Sequence, residues 1–411
     1  MKRVAILLIV GLGIYNFYSC TTAGEKKPKI TPEEARDSMK VWYAIGKDYL
    51  NKAEDNRAEY EDAIRNFRKA LYYASQISDK KDTLFKHLLV DYAYAFLRNK
   101  QLDSSEYYYR KLIEVDSTDP RSWQGLGFLY GIVNKDYEKA EEFYKKALTF
   151  SPDNPDVLFG LAKVYELSGR QDKAKEIYEE AIKKNPQNVA LNKSYGRFLF
   201  EAGNYKEAIK YLENAYNLAE KKDDKKLLEM LVDAYRKAWD NDKSIDMKKA
   251  LEYANILVSL EPDNYSYYLK RADIYEALKQ LKNAIEDYNK AYELNQNAKV
   301  LLVKQAFLYN ELGNKAEAER LAKVVATDKE IEDNIRASAW ALIGDIRQNV
   351  AISLYNSKKY EDAVSTFDSA LAAYQQAQLL GDQKWKDYAT KQIQRVQALR
   401  TKAWRKWKRI D

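Results

Sequence analysis

Cysteine and histidine are almost missing: the 411 residues contain one of each, Cys20 and His87. One cysteine excludes a disulfide framework and a thiolate metal cluster built within the chain. One histidine excludes multi-histidine metal sites and argues against a histidine-based catalytic triad. Glycine (14) and proline (7) are scarce too, so few positions break a helix. Against these shortages stand 34 tyrosines, 32% charged residues and 46% hydrophobic residues. That hydrophobic share can bury a core, which excludes a disordered chain. The abundance of Ala, Leu, Glu, Lys and Tyr points to an all-helical protein.

The net charge is +7, and it is unevenly placed. Residues 384–411 hold ten Lys/Arg against two Asp/Glu, a local excess of eight, so the rest of the chain is close to neutral. A near-neutral body with a basic tail differs from the uniformly basic surface of a nucleic-acid binder, and no nucleic-acid partner is expected.

Met1-Lys2-Arg3 is a positive start, and residues 4–15 form an apolar run interrupted only by Gly11 and Gly13. The run is shorter than the ~20 residues that span a bilayer and has the proportions of a signal-peptide core. Cys20 stands where cleavage is expected, directly after Ser19. This resembles a bacterial lipoprotein signal, with Phe17 and Tyr18 standing where such signals usually carry small residues. The resemblance implies a signal peptide over 1–19 and lipidation of Cys20, with a polar leash over 20–31. It places the protein in the bacterial cell envelope, membrane-anchored on the periplasmic side of the outer membrane. The alternative is an uncleaved N-terminal anchor with an incidental cysteine. Thr31-Pro32-Glu33-Glu34 then reads as N-cap, first-turn proline and capping-box glutamate of the first helix.

A repeat governs the rest of the chain. Residues 155–188 contain Leu161-Ala162, Tyr165, Gly169, Ala174, Tyr178, Ala181 and Pro186, and 189–222 return the pattern as Tyr195-Gly196, Leu199, Gly203, Tyr205, Ala208, Leu212 and Ala215. Residues 120–154 give the fullest version, with Trp123, Leu126-Gly127, Tyr130, Tyr137, Ala140, Tyr144, Ala147 and Pro152. A small residue recurs at Ala63, Ser105, Ala140, Ala174, Ala208, Ala250, Ala284, Ala318 and Ala363, at spacings of 42, 35, 34, 34, 42, 34, 34 and 45. The spacings of 42 predict lengthened loops, near residues 51–56 or the start of the second repeat, and at 240–246. The spacing of 45 predicts an extra or extended helix around 334–345.

This pattern resembles the tetratricopeptide repeat (TPR). The resemblance implies an all-α, right-handed superhelical solenoid of about nine helical hairpins over 32–377, closed by a basic, Trp-containing capping helix over 378–411. Each hairpin is too small to bury its own apolar face and must stack on its neighbours. Small residues (Gly127, Ala162, Gly196, Ala272) are expected where the two helices of a hairpin touch, and large ones (Trp123, Tyr130, Tyr165, Tyr275) between hairpins.

Catalytic motifs are not found, and neither enzymatic activity nor a cofactor or metal is expected. Gly125-Leu126-Gly127 with Gly131 follows no strand, so it is a close-contact run rather than a phosphate loop. The resemblance implies instead that selected first-helix positions line a concave groove for a protein or peptide partner. Those positions give Arg121, Gln124 and Phe128; Asp156, Phe159 and Lys163; Ala190, Lys193 and Arg197; Lys226, Glu229, Asp233 and Arg236; then Asp273 and Glu276. Lys193 and Arg197 resemble part of a carboxylate clamp that could hold a peptide C-terminus. The rest of that clamp is absent, since Lys163, Gln124 and Phe128 replace its other members. The bland alternative is that the pair balances groove carboxylates such as Asp156, Asp233 or Glu229. The candidate groove residues are therefore Phe128, Phe159, Lys163, Lys193 and Arg197.

In the C-terminal segment Trp385, Ala389, Ile393, Val396, Leu399, Ala403, Trp407 and Ile410 form one apolar helical stripe. Lys391, Arg395, Lys402, Arg405 and Arg409 project from the opposite side. A capping helix is the leading reading. The second is contact with anionic lipid or glycan through Trp404, Trp407 and Arg405. The chain is thus expected to be a lipid-anchored envelope scaffold or adaptor. The alternative is a glycan-binding or regulatory subunit of a cell-wall, polysaccharide, secretion or pilus assembly machine.

Overall fold

The computed structural model describes residues 30–54, 56–77 and 82–410. The leader and Cys20 lie outside the described residues. Among those residues the chain forms nineteen α-helices and no strand, arranged as nine hairpins and a final helix. The first four hairpins are α1 (Pro32–Lys52) with α2 (Arg57–Ala74), α3 (Thr83–Arg98) with α4 (Leu102–Val115), α5 (Pro120–Phe128) with α6 (Tyr137–Phe150), and α7 (Pro155–Leu167) with α8 (Gln171–Lys184). Then come α9 (Val189–Glu201) with α10 (Tyr205–Leu218), α11 (Lys225–Asn241) with α12 (Met247–Leu260), α13 (Tyr265–Ala277) with α14 (Leu281–Leu294), α15 (Val300–Glu311) with α16 (Lys315–Thr327), and α17 (Asp333–Asn356) with α18 (Tyr360–Leu380). The last helix is α19 (Gln383–Lys408). The chain divides at residue 195, inside α9, into two compact units.

Helix starts follow local chemistry. Thr31 and Glu34 form the reciprocal capping box of α1, with Thr31 N–H donating to Glu34 at 2.9 Å and Glu34 N–H donating to Thr31 Oγ1 at 3.2 Å. Pro32, Pro120 and Pro155 occupy first turns, where no backbone donor is needed, behind the caps Thr31, Asp119 and Asn154.

Packing explains the recurring small residue. All nine positions from Ala63 to Ala363 are 0% exposed, and each sits on the second helix of its hairpin. Four residues on, one helical turn later, the same face carries Phe67, Tyr109, Tyr144, Tyr178, Leu212, Tyr288 and Phe367, all buried. In the first unit, Tyr144 of α6 lies between two glycines. A Cβ on Gly127 of its own hairpin would come within 2.8 Å of the ring, and one on Gly160 of the next hairpin would collide with it outright. The run Gly125–Gly127 is thus a packing feature, with Gly125 against the Tyr109 ring of the preceding hairpin. Each such ring contributes about 2–3 kcal/mol of hydrophobic burial, and the backbones must approach closely to enclose it.

Departures from the 34-residue spacing have separate causes. The single extra residue between Ser105 and Ala140 is absorbed by a π-helical turn, Leu129–Val133, which follows α5 directly. The first spacing of 42 falls between α2 and α3 at the start of the second repeat. The second was expected as a longer loop at 240–246, and the loop there is longer, but half of the eight extra residues are helix: α11 has 17 residues where α9 and α13 have 13. The 45-residue spacing is one extended helix, since α17 runs for 24 residues and α18 for 21.

The second unit ends on α19, which packs against α18 and α17 and buries Ala389, Val396 and Ala403. Asp345 of α17 ties this end together, accepting from Tyr374 Oη of α18 at 2.6 Å and from Tyr388 Oη of α19 at 2.8 Å. Burial raises the Asp345 carboxyl above the ordinary aspartate range, while the two tyrosine hydrogen bonds oppose that rise.

Candidate partner-binding face

First helices meet the first helices of neighbouring hairpins, forming one layer within each unit: α1, α3, α5 and α7 in the first, and the pairs α11–α13 and α15–α17 in the second. Of the candidate groove residues, Phe128, Phe159 and Lys163 belong to the first unit's layer, whereas Lys193 and Arg197 lie on α9, where the two units divide.

In the first unit Phe128 stands 41% exposed at the end of α5. Phe159 of α7 is half-buried, its ring centroid 6.5 Å from that of Tyr178. Lys163 donates to Glu166 at 2.8 Å, and the same carboxylate accepts from Tyr178 Oη at 2.9 Å. Arg121 folds back onto its own N-cap, Asp119, at 2.6 and 2.9 Å. Nearer the N-terminus, Asp91 of α3 accepts from Tyr43 Oη and Lys47 Nζ of α1, both at 2.7 Å. Burial, then the hydrogen bond and charge of Asp91, push the Tyr43 hydroxyl far above its ordinary range.

Lys193 and Arg197 lie four residues apart on α9, both half-buried. Neither is without a partner. Arg197 Nη1 donates to Glu201 Oε1 at 2.6 Å, one turn further along the helix.

In the second unit the carboxylates of the layer are taken up by cations and hydroxyls of the next first helix. Asp233 of α11 accepts from Lys270 of α13, and Glu229 accepts from Tyr267 Oη at 2.7 Å. Asp273 of α13 accepts from Arg236 at 3.1 Å, from Lys304 of α15 at 2.9 Å and from the buried Tyr288 Oη at 2.8 Å. Burial and then the Asp273 charge hold the Tyr288 hydroxyl far above its ordinary range, so it stays a donor at any physiological pH. Asp233 and Glu229, the alternative counter-ions for Lys193 and Arg197, thus have these other partners.

Lys270 and Lys304 were not singled out by sequence reasoning. Their signal is spacing: the contacts join residues 37 or 31 apart, one repeat plus or minus a helical turn. That offset brings an acid and a base together across two stacked first helices.

On α19 the two tryptophans part company. Trp404 is 36% exposed, but Trp407, expected as a surface contact, packs into the cluster formed by α17, α18 and α19. Trp407 follows buried Ala403 by four residues and so continues the inward stripe. Arg405 is exposed. His87 is exposed on α3. Among the described residues no group of three or more His, Cys, Asp or Glu is placed to hold a metal ion, and no helix is long and apolar enough to cross a membrane.

The family models that match this chain are tetratricopeptide-repeat models. The family model described as the cytochrome c-type biogenesis protein H TPR domain matches residues 71–226, and the tetratricopeptide repeat model matches residues 265–297. TPR repeat-containing protein MJ1428 of Methanocaldococcus jannaschii is 28% identical over 258 residues, which cover 57% of this chain and 44% of that protein. The DnaJ homolog subfamily C member 7 homolog of Schizosaccharomyces pombe is 25% identical over 279 residues, 60% of this chain and 54% of that one. The chain thus spans about half the length of these curated relatives. The crystal structure of a tetratricopeptide repeat protein from Parabacteroides merdae is 16% identical, covers 66% of this chain and 99% of its own, and has a TM-score of 0.39.

Proposed function

We propose that this chain, a tetratricopeptide-repeat protein, is a non-catalytic scaffold that holds a protein or peptide partner on its first-helix layer. It presents a pre-built surface and makes no bonds. The supporting observation is Phe128, a large ring left 41% exposed on a layer whose charged groups are extensively paired. Phe159 follows it by 31 residues, the offset that joins Asp273 to Lys304 in the second unit. An exposed ring next to a half-buried one makes an apolar anchor of the kind protein interfaces use.

Lys193 and Arg197, one turn apart on α9, supply a polar contact of their own. A partner carboxylate there would take over the hydrogen bond that Arg197 now gives to Glu201. We place the scaffold in the bacterial cell envelope, tethered through lipidated Cys20, because the chain opens with a positive start, a short apolar run and its sole cysteine at the expected cleavage point.

The test is the double variant Lys193→Ala/Arg197→Ala, assayed against a partner co-purified from detergent-solubilised membranes. Charge-assisted hydrogen bonds are worth about 1.5–3 kcal/mol each, so affinity should fall roughly tenfold or more, with the helical signal intact. An unchanged affinity with a lowered melting temperature would mean that the two cations serve only the fold.

A further inference from the structure

We propose that the outward side of α19 is a docking face for an anionic phospholipid surface. One side of the helix is spent on packing, through Ala389, Val396 and Ala403. On the other side Lys391, Arg395, Lys402, Arg405, Lys406 and Arg409 recur at three-, four- and seven-residue steps, and every one is exposed. At 1.5 Å per residue the stripe is about 27 Å long.

Little of this charge is consumed by the fold: Lys402 Nζ lies 5.7 Å from the centre of the Tyr355 ring, and the Arg395 charge acts on Asp345. Among the described residues none of these six cations forms an ion pair; the one that α19 does form joins Arg400 to Asp368, off the stripe. Elsewhere in the chain Lys and Arg are repeatedly bonded to acids of their own or a neighbouring hairpin, as in Lys86–Asp116 and Lys304–Asp273, both at 2.9 Å. Complementing the helix dipole accounts for cations in the last turn only. Lys391 and Arg395 lie several turns earlier.

The flanks of the stripe suit a bilayer interface. Ile410 is 50% exposed beside it, and Trp404, 36% exposed, stands on the opposite flank of the helix. A shallow depression of about 360 Å³ is lined by Ala398, Thr401, Lys402, Arg405, Lys406 and Ile410. It offers a phosphate headgroup three cations and the acyl boundary an apolar floor. Interfacial helices use this pairing of basic residues with neighbouring Trp or aliphatic side chains. A single-stranded nucleic acid would ask for several exposed rings to stack on, but Trp385, Tyr388 and Trp407 are all partly buried in the helix packing. The face is independent of the lipid anchor proposed at Cys20.

The experiment measures binding of the full-length chain to phosphatidylcholine vesicles with and without phosphatidylglycerol, and reads the phosphatidylglycerol-dependent increment. Any contribution of residues 1–29 is common to all variants compared. The increment should be present at low salt and disappear at high salt. Arg405→Glu/Lys406→Glu should reduce it roughly tenfold or more with unchanged circular dichroism, since both side chains are exposed. The control Lys282→Glu/Lys329→Glu makes the same change in net charge at exposed positions off the stripe and should leave the increment in place. No preference for phosphatidylglycerol, or an equal loss in the control, would overturn the proposal. Tighter binding of a DNA duplex than of the vesicles, lost in the same Arg405/Lys406 variant, would reassign the face to nucleic acid.

Discussion

Ser105→Ala is expected to raise stability, because the second hairpin places a hydroxyl where the other eight hairpins place a methyl group. Ser105 is 0% exposed and its Oγ has no hydrogen-bond partner. Leaving a buried hydroxyl unpaired costs about 1–3 kcal/mol, and alanine is the better helix former by about 0.5 kcal/mol. Removing one oxygen opens only a small void, with a cost of about 0.2–0.3 kcal/mol. The balance is a gain of about 1–3 kcal/mol, with a rise in melting temperature of about 2–4 °C per kcal/mol for a unit of this size. Urea unfolding followed by circular dichroism should show a higher midpoint with an unchanged slope. The mirror substitution Ala140→Ser introduces the same hydroxyl into the next hairpin and should lower the midpoint by a similar amount. If Ser105→Ala lowers stability, or Ala140→Ser costs nothing, the slot tolerates a hydroxyl and the packing argument fails.

Three other outcomes follow from the structure. Burial alone would raise Glu141, but hydrogen bonds from Lys145, Arg170 and Tyr165 outweigh it and hold the carboxyl at about 2, below its ordinary 4.5. Its stabilising contribution is therefore full above pH 4.5 and lost as pH falls toward 2, so Glu141→Gln should flatten that part of an acid-unfolding curve. Deleting residues 155–188, one whole hairpin with its linkers, should leave a shorter helical chain, whereas deleting half of it should expose an apolar face and unfold the protein; equal tolerance of the two deletions would contradict stacked hairpins. Cys20→Ser should abolish fatty-acid labelling and leave an unprocessed precursor, and label persisting on the variant would refute the proposed anchor.

Features that recur every 34 residues were legible in the sequence, because each is a local rule applied many times. The buried small residue, the ring one turn later and the glycine facing it depend on a single helix–helix contact. Caps such as Thr31–Glu34 depend on four residues. Departures from the period were legible only as lengths. A spacing of 35 does not say that a π turn holds the extra residue, and a spacing of 42 does not say that half of the excess lengthens α11. A longer helix and a longer loop cost the same number of residues. What decides between them is whether an apolar side is available to bury, as Leu227, Leu228, Leu231, Val232 and Tyr235 provide on α11.

The candidate site was less legible because its charges act in pairs a whole repeat apart. Read singly, Asp233, Arg236 and Asp273 look like groove ligands. Stacked, they are the cross-links between first helices, joined to Lys270 and Lys304 at offsets of 37 and 31 residues. A partner that took over those groups would have to replace each hydrogen bond it broke, at about 1–3 kcal/mol per buried group left unmatched. Binding is cheaper where the repeat rule is broken and the fold asks less of the side chain. Phe128 is such a place, an exposed ring just ahead of the π turn, and the unpaired cations of α19 are another. In a protein built by repetition, then, function is best sought at the exceptions.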